Sequence, residues 1–147
     1  MRRSTTPLLL AAAMFVTAGG FAHLREWFDT YRDVPAGAPG AAVVRVGFPV
    51  NAGLSLLVAV ALVVTAFTLR RWAPVVVGAA LLFQAGALAV LILSRIGTVL
   101  GWSESGWTLG ADQIRAVEIG ALVMLAAIAA VWWPERRVAL QPARSGQ

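Results

Sequence analysis

Charged residues divide this chain into four long apolar segments. The uncharged stretches are 4–22, 46–69, 72–94 and 119–134. A hydrocarbon layer about 30 Å thick needs about 20 helical residues, with a usual range of about 17 to 25. Three stretches fall in that range, and the last reaches it with Ala116 and Val117 included, which places Glu118 at or just inside the membrane boundary. The pattern therefore predicts membrane-spanning helices at about 7–24, 46–69, 72–94 and 112–133.

The connections between these segments are short, which is typical of an up-and-down bundle. After the first segment, the stretch PAGAPGAA at 35–42 is rich in proline and glycine, which interrupt regular helices. We expect it to separate a short interfacial helix at about 24–33 from the second span. The predicted fold is an all-α integral membrane four-helix bundle, one transmembrane domain over 1–147 with a cytoplasmic tail at 134–147.

Composition agrees with a membrane location and excludes several soluble functions. Of the 147 residues, 59% are hydrophobic and 13% are charged, against about 25% charged in a typical soluble domain. The chain has no cysteine and one histidine, so thiol chemistry and a histidine-rich metal site are excluded. It also lacks a phosphate-binding loop and a dinucleotide fingerprint. We predict no metal site, no catalytic residue, no nucleic-acid partner and no independent catalytic activity.

The arginines predict the orientation. The net charge is +5, and every basic residue is arginine in an alanine-rich and glycine-rich chain, which is typical of a GC-rich genome. Arginines precede the first segment, connect the second to the third and follow the fourth: Arg2, Arg3, Arg70, Arg71, Arg136, Arg137 and Arg144. The positive-inside tendency places both termini in the cytoplasm and the two longer connections outside. We therefore expect a multi-pass protein of a plasma membrane.

Aromatic residues are expected at the two membrane surfaces, because indole and phenol rings favour that interface. The orientation above assigns Trp72, Trp132 and Trp133 to the inner surface and Trp27, Trp102 and Trp107 to the outer one. Phe28 and Tyr31 are expected to lie at the depth of the outer headgroups.

The first segment has a second interpretation. Residues 1–22 have a basic start, an apolar centre and a small-residue end, as a cleaved signal peptide does. Retention is favoured, because the stretch is long enough to span and an even number of spans keeps both arginine-rich ends on one side.

Polar side chains recur where the spans meet the predicted outer surface. His23 closes the first span and Arg95 the third, while Asn51 opens the second and Glu118 the fourth. In an antiparallel bundle they lie at similar depth, and ionisable groups at membrane depth need partners. Arg95 is the expected partner of Glu118, since a guanidinium can hold a carboxylate with two hydrogen bonds. His23 would add a protonation change near neutral pH.

The sequence thus predicts a ligand-binding cluster of these four residues. The alternative is that each is a helix-end residue reaching for water.

Two further polar residues are expected to face the other helices. Gln84 lies near the predicted midplane, where an interhelical hydrogen bond is an ordinary packing device. Arg115 lies between Asp112 and Glu118 at spacings of three, so this stripe is expected to face the bundle. Small residues are expected to allow close helix approach: Gly78, Ala85, Gly86, Ala89, Gly120, Ala121 and Ala127.

The stretch AGGFAHLREWFDTYRDVP at 18–35 resembles the exit of the first helix in DoxX-like proteins, small bacterial membrane proteins with four helices. The order of elements, including the short arginine turn, is also similar over about 7–133. The second helix departs from that family, because Asn51, Gly53 and Ser55 stand where an acidic residue would be expected. The resemblance implies a four-helix bundle and association with a quinone-linked or oxidative-stress redox assembly.

Two classes of function stay open. The protein is an accessory or scaffold subunit of a membrane assembly, in contact with the lipid bilayer and a membrane protein partner or redox complex. Alternatively, it is a quinone-linked oxidoreductase subunit or small carrier that uses the outer polar cluster, with a quinone as the cofactor. A buried pocket containing His23 and Glu118 would favour the second class.

Overall fold

The residues that the structure describes fold into four long helices joined by short connections. A computed structural model describes residues 5–104 and 108–139, with side chains up to Trp132 in the last helix. Each helix is long and apolar enough to cross a membrane. The described residues form helices and no strand, in agreement with the predicted all-α class, and the packing is consistent with a four-helix bundle. The helices are α1 (Thr5–Glu26), α2 (Ala41–Phe67), α3 (Ala73–Ile96) and α4 (Leu109–Ala139).

The segment after α1 differs from the prediction. In place of a separate interfacial helix at 24–33, α1 runs directly into a wide π turn at Trp27–Tyr31. The turn is closed by the Arg32 N–H, which donates to the Trp27 carbonyl at 2.8 Å. Nothing before Pro35 breaks a helix, so the chain reverses only in the predicted proline and glycine stretch. The left-handed Gly40 (φ 68°) directly precedes α2.

Helix α2 begins before the predicted residue 46 and contains Pro49. Proline has no N–H, so the carbonyl four residues earlier, that of Arg45, loses its helical donor. The Trp27 indole supplies another donor, since its Nε1 lies 2.9 Å from the Arg45 oxygen. This bond explains how the proline is tolerated and ties the end of α1 to the start of α2.

The core is made where all four helices pack together, and α3 contributes Ala73, Val77 and Ala80 to it. Buried positions in α4 alternate between spacings of three and four, as expected of one helix face that packs along its whole length. They are Ala111, Ile114, Glu118, Ala121, Leu125, Ile128 and Trp132. In α1 the same spacing leads from Leu9 through Val16 to His23, and Leu62 joins them from α2. Glu118 and His23 therefore lie on stripes that are otherwise apolar.

Two glycines allow close helix contacts. A methyl group on Gly20 would lie 2.6 Å from the Cβ of Ser55, and one on Gly120 would meet the Phe15 ring. Of the small residues predicted to pack closely, Gly120 and the buried Ala121 do so. Gly78 and Gly86 do not, because no atom lies within 4 Å of the position of a Cβ on either one.

Residues 32–40 and 97–104 meet at one end of the bundle, here called the long-loop end. The second of these loops reverses at Val99 and Trp102, whose backbones exchange hydrogen bonds of 2.7 and 2.9 Å. Gly40 packs so tightly against the Trp102 backbone that a side chain there would overlap it. Tyr31 is only 2% exposed, so its side chain packs inside the protein, and its depth relative to the headgroups stays a prediction. It packs on Trp102 and Phe48 at centroid distances of 6.0 and 4.6 Å.

The opposite end carries the short connection of α2 to α3, a single 3-10 turn at Arg70–Trp72. Trp72 is half exposed, as expected of an interfacial residue. Trp132 is instead buried in the apolar core, where it belongs to one cluster with Leu9. The predictions for Trp107 and for the arginines at 2, 3 and 144 lie outside the described residues.

Candidate ligand-binding cavity

A cavity of about 430 Å³ lies between α2 and α3. This is within the range of about 300 to 1,000 Å³ that is usual for small-molecule sites. Its walls are mainly apolar, with Val44, Phe48 and Leu54 from α2 and Phe83 and Leu91 from α3. The space exists because these two helices carry small residues where they face it, including Gly47, Gly86 and Ala87.

The cavity opens on the side of the bundle. Its lining includes Leu54, Leu82 and Val90, which are also exposed on the outer surface of α2 and α3, Leu82 to 79%. Both helices are apolar enough to span a membrane, so this surface would face lipid. A molecule dissolved in the bilayer would reach the cavity without passing through water.

Polar side chains line the cavity toward the long-loop end: His23, Tyr31, Asn51, Ser94, Arg95 and Glu104. The tight packing of Gly40 on Trp102 covers this end. The cavity is therefore amphipathic, with apolar walls open toward lipid and a covered polar end.

His23 and Glu118 form a buried pair at this polar end. The Nε2 atom of His23 lies 2.8 Å from Oε1 of Glu118, and the two residues are 6% and 1% exposed. His23 also packs edge-on against Phe48, with centroids 5.1 Å apart. Among the described residues, neither Nδ1 of His23 nor Oε2 of Glu118 has a hydrogen-bond partner. A buried polar atom left in that state costs about 1 to 3 kcal/mol.

Arg95 was predicted to pair with Glu118, and this prediction was wrong. The carboxylate beside Arg95 is that of Glu104, with Nη1 and Oε2 3.0 Å apart, and the side chain of Arg95 is 3% exposed. Arg95 lies at the end of α3, so its long side chain reaches the loop that follows. That loop is held close because the Glu104 N–H donates to the Ser94 carbonyl at 2.8 Å. The Tyr31 side chain interacts with both members of this pair.

The four predicted site residues thus meet the cavity in different ways. His23, Asn51 and Arg95 line it directly, whereas Glu118 lies behind His23 and contacts it. Asn51 accepts a hydrogen bond from the Ser55 hydroxyl at 3.3 Å. The ligand-binding role of the four residues stays a prediction.

The two secondary polar residues are separate from the cavity lining. Gln84 is buried on α3, as predicted for a residue facing other helices. Arg115 is partly exposed and pairs with Asp112 on its own helix at 2.8 Å. Residues three apart are about 300° apart around the helix axis, which is about 60° short of a full turn. The three residues therefore do not all lie on the buried face of α4. Of the three, only Glu118 is buried.

Sequence reasoning missed Tyr31, Phe48, Trp102 and Glu104 as residues of this site. Tyr31 lies eight residues after His23, which is two steps of four. This spacing would have indicated a shared face if the first helix had been continued beyond its predicted end at about residue 24. Trp102 and Glu104 lie in a loop, where no periodic pattern indicates the direction of a side chain.

The four apolar helices define a small multi-pass membrane protein. Comparisons with protein-family models, curated proteins and solved structures find no match for this chain.

Proposed function

We propose that this protein binds a quinone-type molecule from the bilayer in the cavity between α2 and α3, and acts as a quinone-linked subunit or carrier. The observation that carries the proposal is the amphipathic cavity, with His23 at its polar end. Glu118 does not line the cavity, but it contacts His23 directly from behind. The cavity thus contains His23 and adjoins Glu118, the two residues whose presence in a pocket favours this class of function. A scaffold that acts only through its surface would not need this internal space.

The two parts of a quinone match the two parts of the cavity. The isoprenoid tail is apolar and would leave through the lateral opening beside Leu54 and Leu82, into the lipid. The ring carries two carbonyl oxygens and would lie toward the polar end, beside His23 and Asn51. Ligand sites of this kind combine apolar walls with a few polar groups that fix orientation.

We also propose in which membrane the protein lies and which of its ends faces the cytoplasm. The long-loop end faces outward and both termini are cytoplasmic in a bacterial plasma membrane, which the arginine distribution supports. Assignment to the DoxX-like family is part of the same proposal, supported by residues 18–35 and the order of the four helices. With that assignment, the protein would serve a redox assembly as its quinone-binding accessory subunit.

Filling the cavity tests the proposal. No atom lies within 4 Å of the position of a Cβ on Gly86, which lines the cavity, so Gly86→Leu occupies the cavity without forcing the helices apart. Gly78→Leu on the same helix is the matched control, since Gly78 is equally unobstructed and is not part of the lining.

The measurement is saturable quenching of tryptophan fluorescence by decylubiquinone in detergent micelles, since Trp102 lines the cavity. Gly86→Leu should raise the dissociation constant at least about tenfold, equal to about 1.4 kcal/mol, while Gly78→Leu should bind like the wild type. Equal binding by Gly86→Leu and the wild type would contradict the proposal.

A further inference from the structure

Most polar groups that line the cavity are already bonded within the protein. The Nε2 atom of His23 contacts the Glu118 carboxylate, and the Nδ1 atom of His23 is buried. The Ser94 hydroxyl donates its one hydrogen to the Leu91 carbonyl at 2.8 Å. Neither His23 nor Ser94 therefore offers a ligand a hydrogen-bond donor.

The polar groups nearest the loop are bonded to one another. Nη1 of Arg95 lies 3.0 Å from Oε2 of Glu104, and the Trp102 indole donates to Oε1 of the same carboxylate at 3.1 Å. The Tyr31 side chain interacts with both Arg95 and Glu104. A ligand would have to break one of these contacts to bond to any of the four residues.

Asn51 differs from the other polar side chains that line the cavity. Its Oδ1 atom accepts the Ser55 hydroxyl at 3.3 Å, and Ser55 is buried and is not part of the lining. The amide oxygen and nitrogen diverge from the same carbon atom, so Nδ2 points away from Ser55. Within the described part of the chain Nδ2 has no acceptor, and it retains accessible surface. Its two hydrogens are therefore available to a neighbouring molecule.

The position of Asn51 on α2 directs its side chain to the cavity. Phe48 and Leu54, three residues before and after it, also line the cavity and lie about 60° to either side of it around the helix axis. Asn51 thus lies in the middle of the α2 face that forms the wall. A polar group left without a partner away from water costs free energy, and a ligand with an acceptor oxygen would remove that cost.

We infer that the Asn51 amide recognises the ring of the ligand, with Nδ2 donating to one quinone carbonyl while the second carbonyl has no donor among the described residues. This inference rests on the proposed function and names the residue that recognises the quinone ring. Leu54, beside the lateral opening, is three residues from Asn51, about 4.5 Å along the helix. A ring bonded to Asn51 therefore has its tail at the opening.

The first test reads this hydrogen bond in the unmodified protein. A hydrogen bond to one oxygen weakens that C=O bond and leaves the other unchanged. Bound decylubiquinone should therefore show one carbonyl stretching band at its frequency in apolar solvent and one at lower frequency, which ¹³C labels at each carbonyl assign. Two bands at the apolar-solvent frequency, or two bands shifted equally, would overturn the inference.

The second test removes the amide. Asn51→Leu puts an apolar side chain of similar size in its place, so it should raise the dissociation constant of decylubiquinone about three- to tenfold. It should also return the shifted carbonyl band to the apolar-solvent frequency. Gln84→Leu is the matched control, since Gln84 is a buried amide of α3 outside the lining, and it should keep the wild-type affinity and spectrum. A shifted band that persists in Asn51→Leu would show that another group is the donor.

The failures of the two proposals are distinguishable. If Gly86→Leu leaves the binding of decylubiquinone unchanged, the proposed function fails. If Gly86→Leu weakens binding, but the single shifted band is missing from the wild type or persists in Asn51→Leu, only the role of Asn51 is overturned.

Discussion

His23 Nε2 lies 2.8 Å from Glu118 Oε1, although the two residues are 95 positions apart in the sequence. The pair joins the end of α1 to the first part of α4, and both side chains are almost fully buried. The other buried residues on these faces of α1 and α4 near the pair are apolar. The polar character of the pair therefore calls for a reason beyond packing, and the adjacent cavity provides one.

Breaking this pair from one side should cost more than removing it entirely. Glu118→Leu leaves a buried imidazole without its partner, and loss of one partner of a buried pair typically costs about 3 to 5 kcal/mol. The double variant His23→Phe/Glu118→Leu should be closer to the wild type, because no polar group is then left unpaired. Thermal unfolding in detergent measures both. If the double variant loses as much stability as Glu118→Leu and His23→Phe lose together when made singly, the two side chains are not coupled.

The contact of Gly20 with Ser55 should limit the size of the side chain at that position. A methyl group there would lie 2.6 Å from the Ser55 Cβ, so Gly20→Ala should force α1 and α2 apart and destabilise the protein by about 1 to 3 kcal/mol. Gly53→Ala on α2 is the control, since nothing lies within 4 Å of its Cβ position. The control should match or slightly exceed wild-type stability, because alanine favours helices. Equal melting temperatures for the two variants would contradict the close contact.

The bond from Trp27 to the Arg45 carbonyl should matter only while Pro49 is present. Trp27→Phe removes the indole donor and should cost about 1 kcal/mol. In a Pro49→Ala background the new N–H can donate to Arg45, so the same substitution should cost less. Unfolding of the four proteins in a double-mutant cycle measures this coupling. A cost of Trp27→Phe that is identical in both backgrounds would rule out the compensation.

The ion pair of Arg95 and Glu104 should hold the loop over the polar end of the cavity. Glu104→Ala leaves a cation of 3% exposure without this carboxylate, so hydrogen exchange at the amides of 97–104 should become faster. Asp33→Asn is the control, because Asp33 and Arg32 form a pair exposed to water. The hydrogen bond from Arg32 lowers the pKa of Asp33, but such exposed pairs contribute little to stability. Unchanged exchange in Glu104→Ala would show that the loop is held by other contacts.

The orientation can be tested with single cysteines, because the chain contains none. A cysteine at Ala38, in the long-loop end, should react with a membrane-impermeant thiol reagent in intact cells. One at Ser4 should react only after the cells are opened, and the intact mass should show that residues 1–22 are retained. Labelling at Ser4 from outside would reverse the proposed orientation. A mass without 1–22 would support the signal-peptide interpretation.

The sequence by itself determined the number of apolar helices, their approximate limits and the places where the chain reverses. Each depends on a property read along one dimension: the length of an uncharged run against the thickness of hydrocarbon, and residues such as Pro35 that break helices. The extent of α2 was less accurate, because the donor that makes Pro49 acceptable comes from Trp27 on another element.

Tertiary structure decided which polar groups meet. The residues predicted to lie at the same depth line one cavity or contact its lining, but Glu118 pairs with His23 and Arg95 pairs with Glu104. The choice depends on the rotation of each helix about its axis, and each residue of uncertainty in register turns a side chain by about 100°. The cavity between α2 and α3 has the same origin. It is set by the packing of those two helices in three dimensions, which no run or spacing in the sequence specifies.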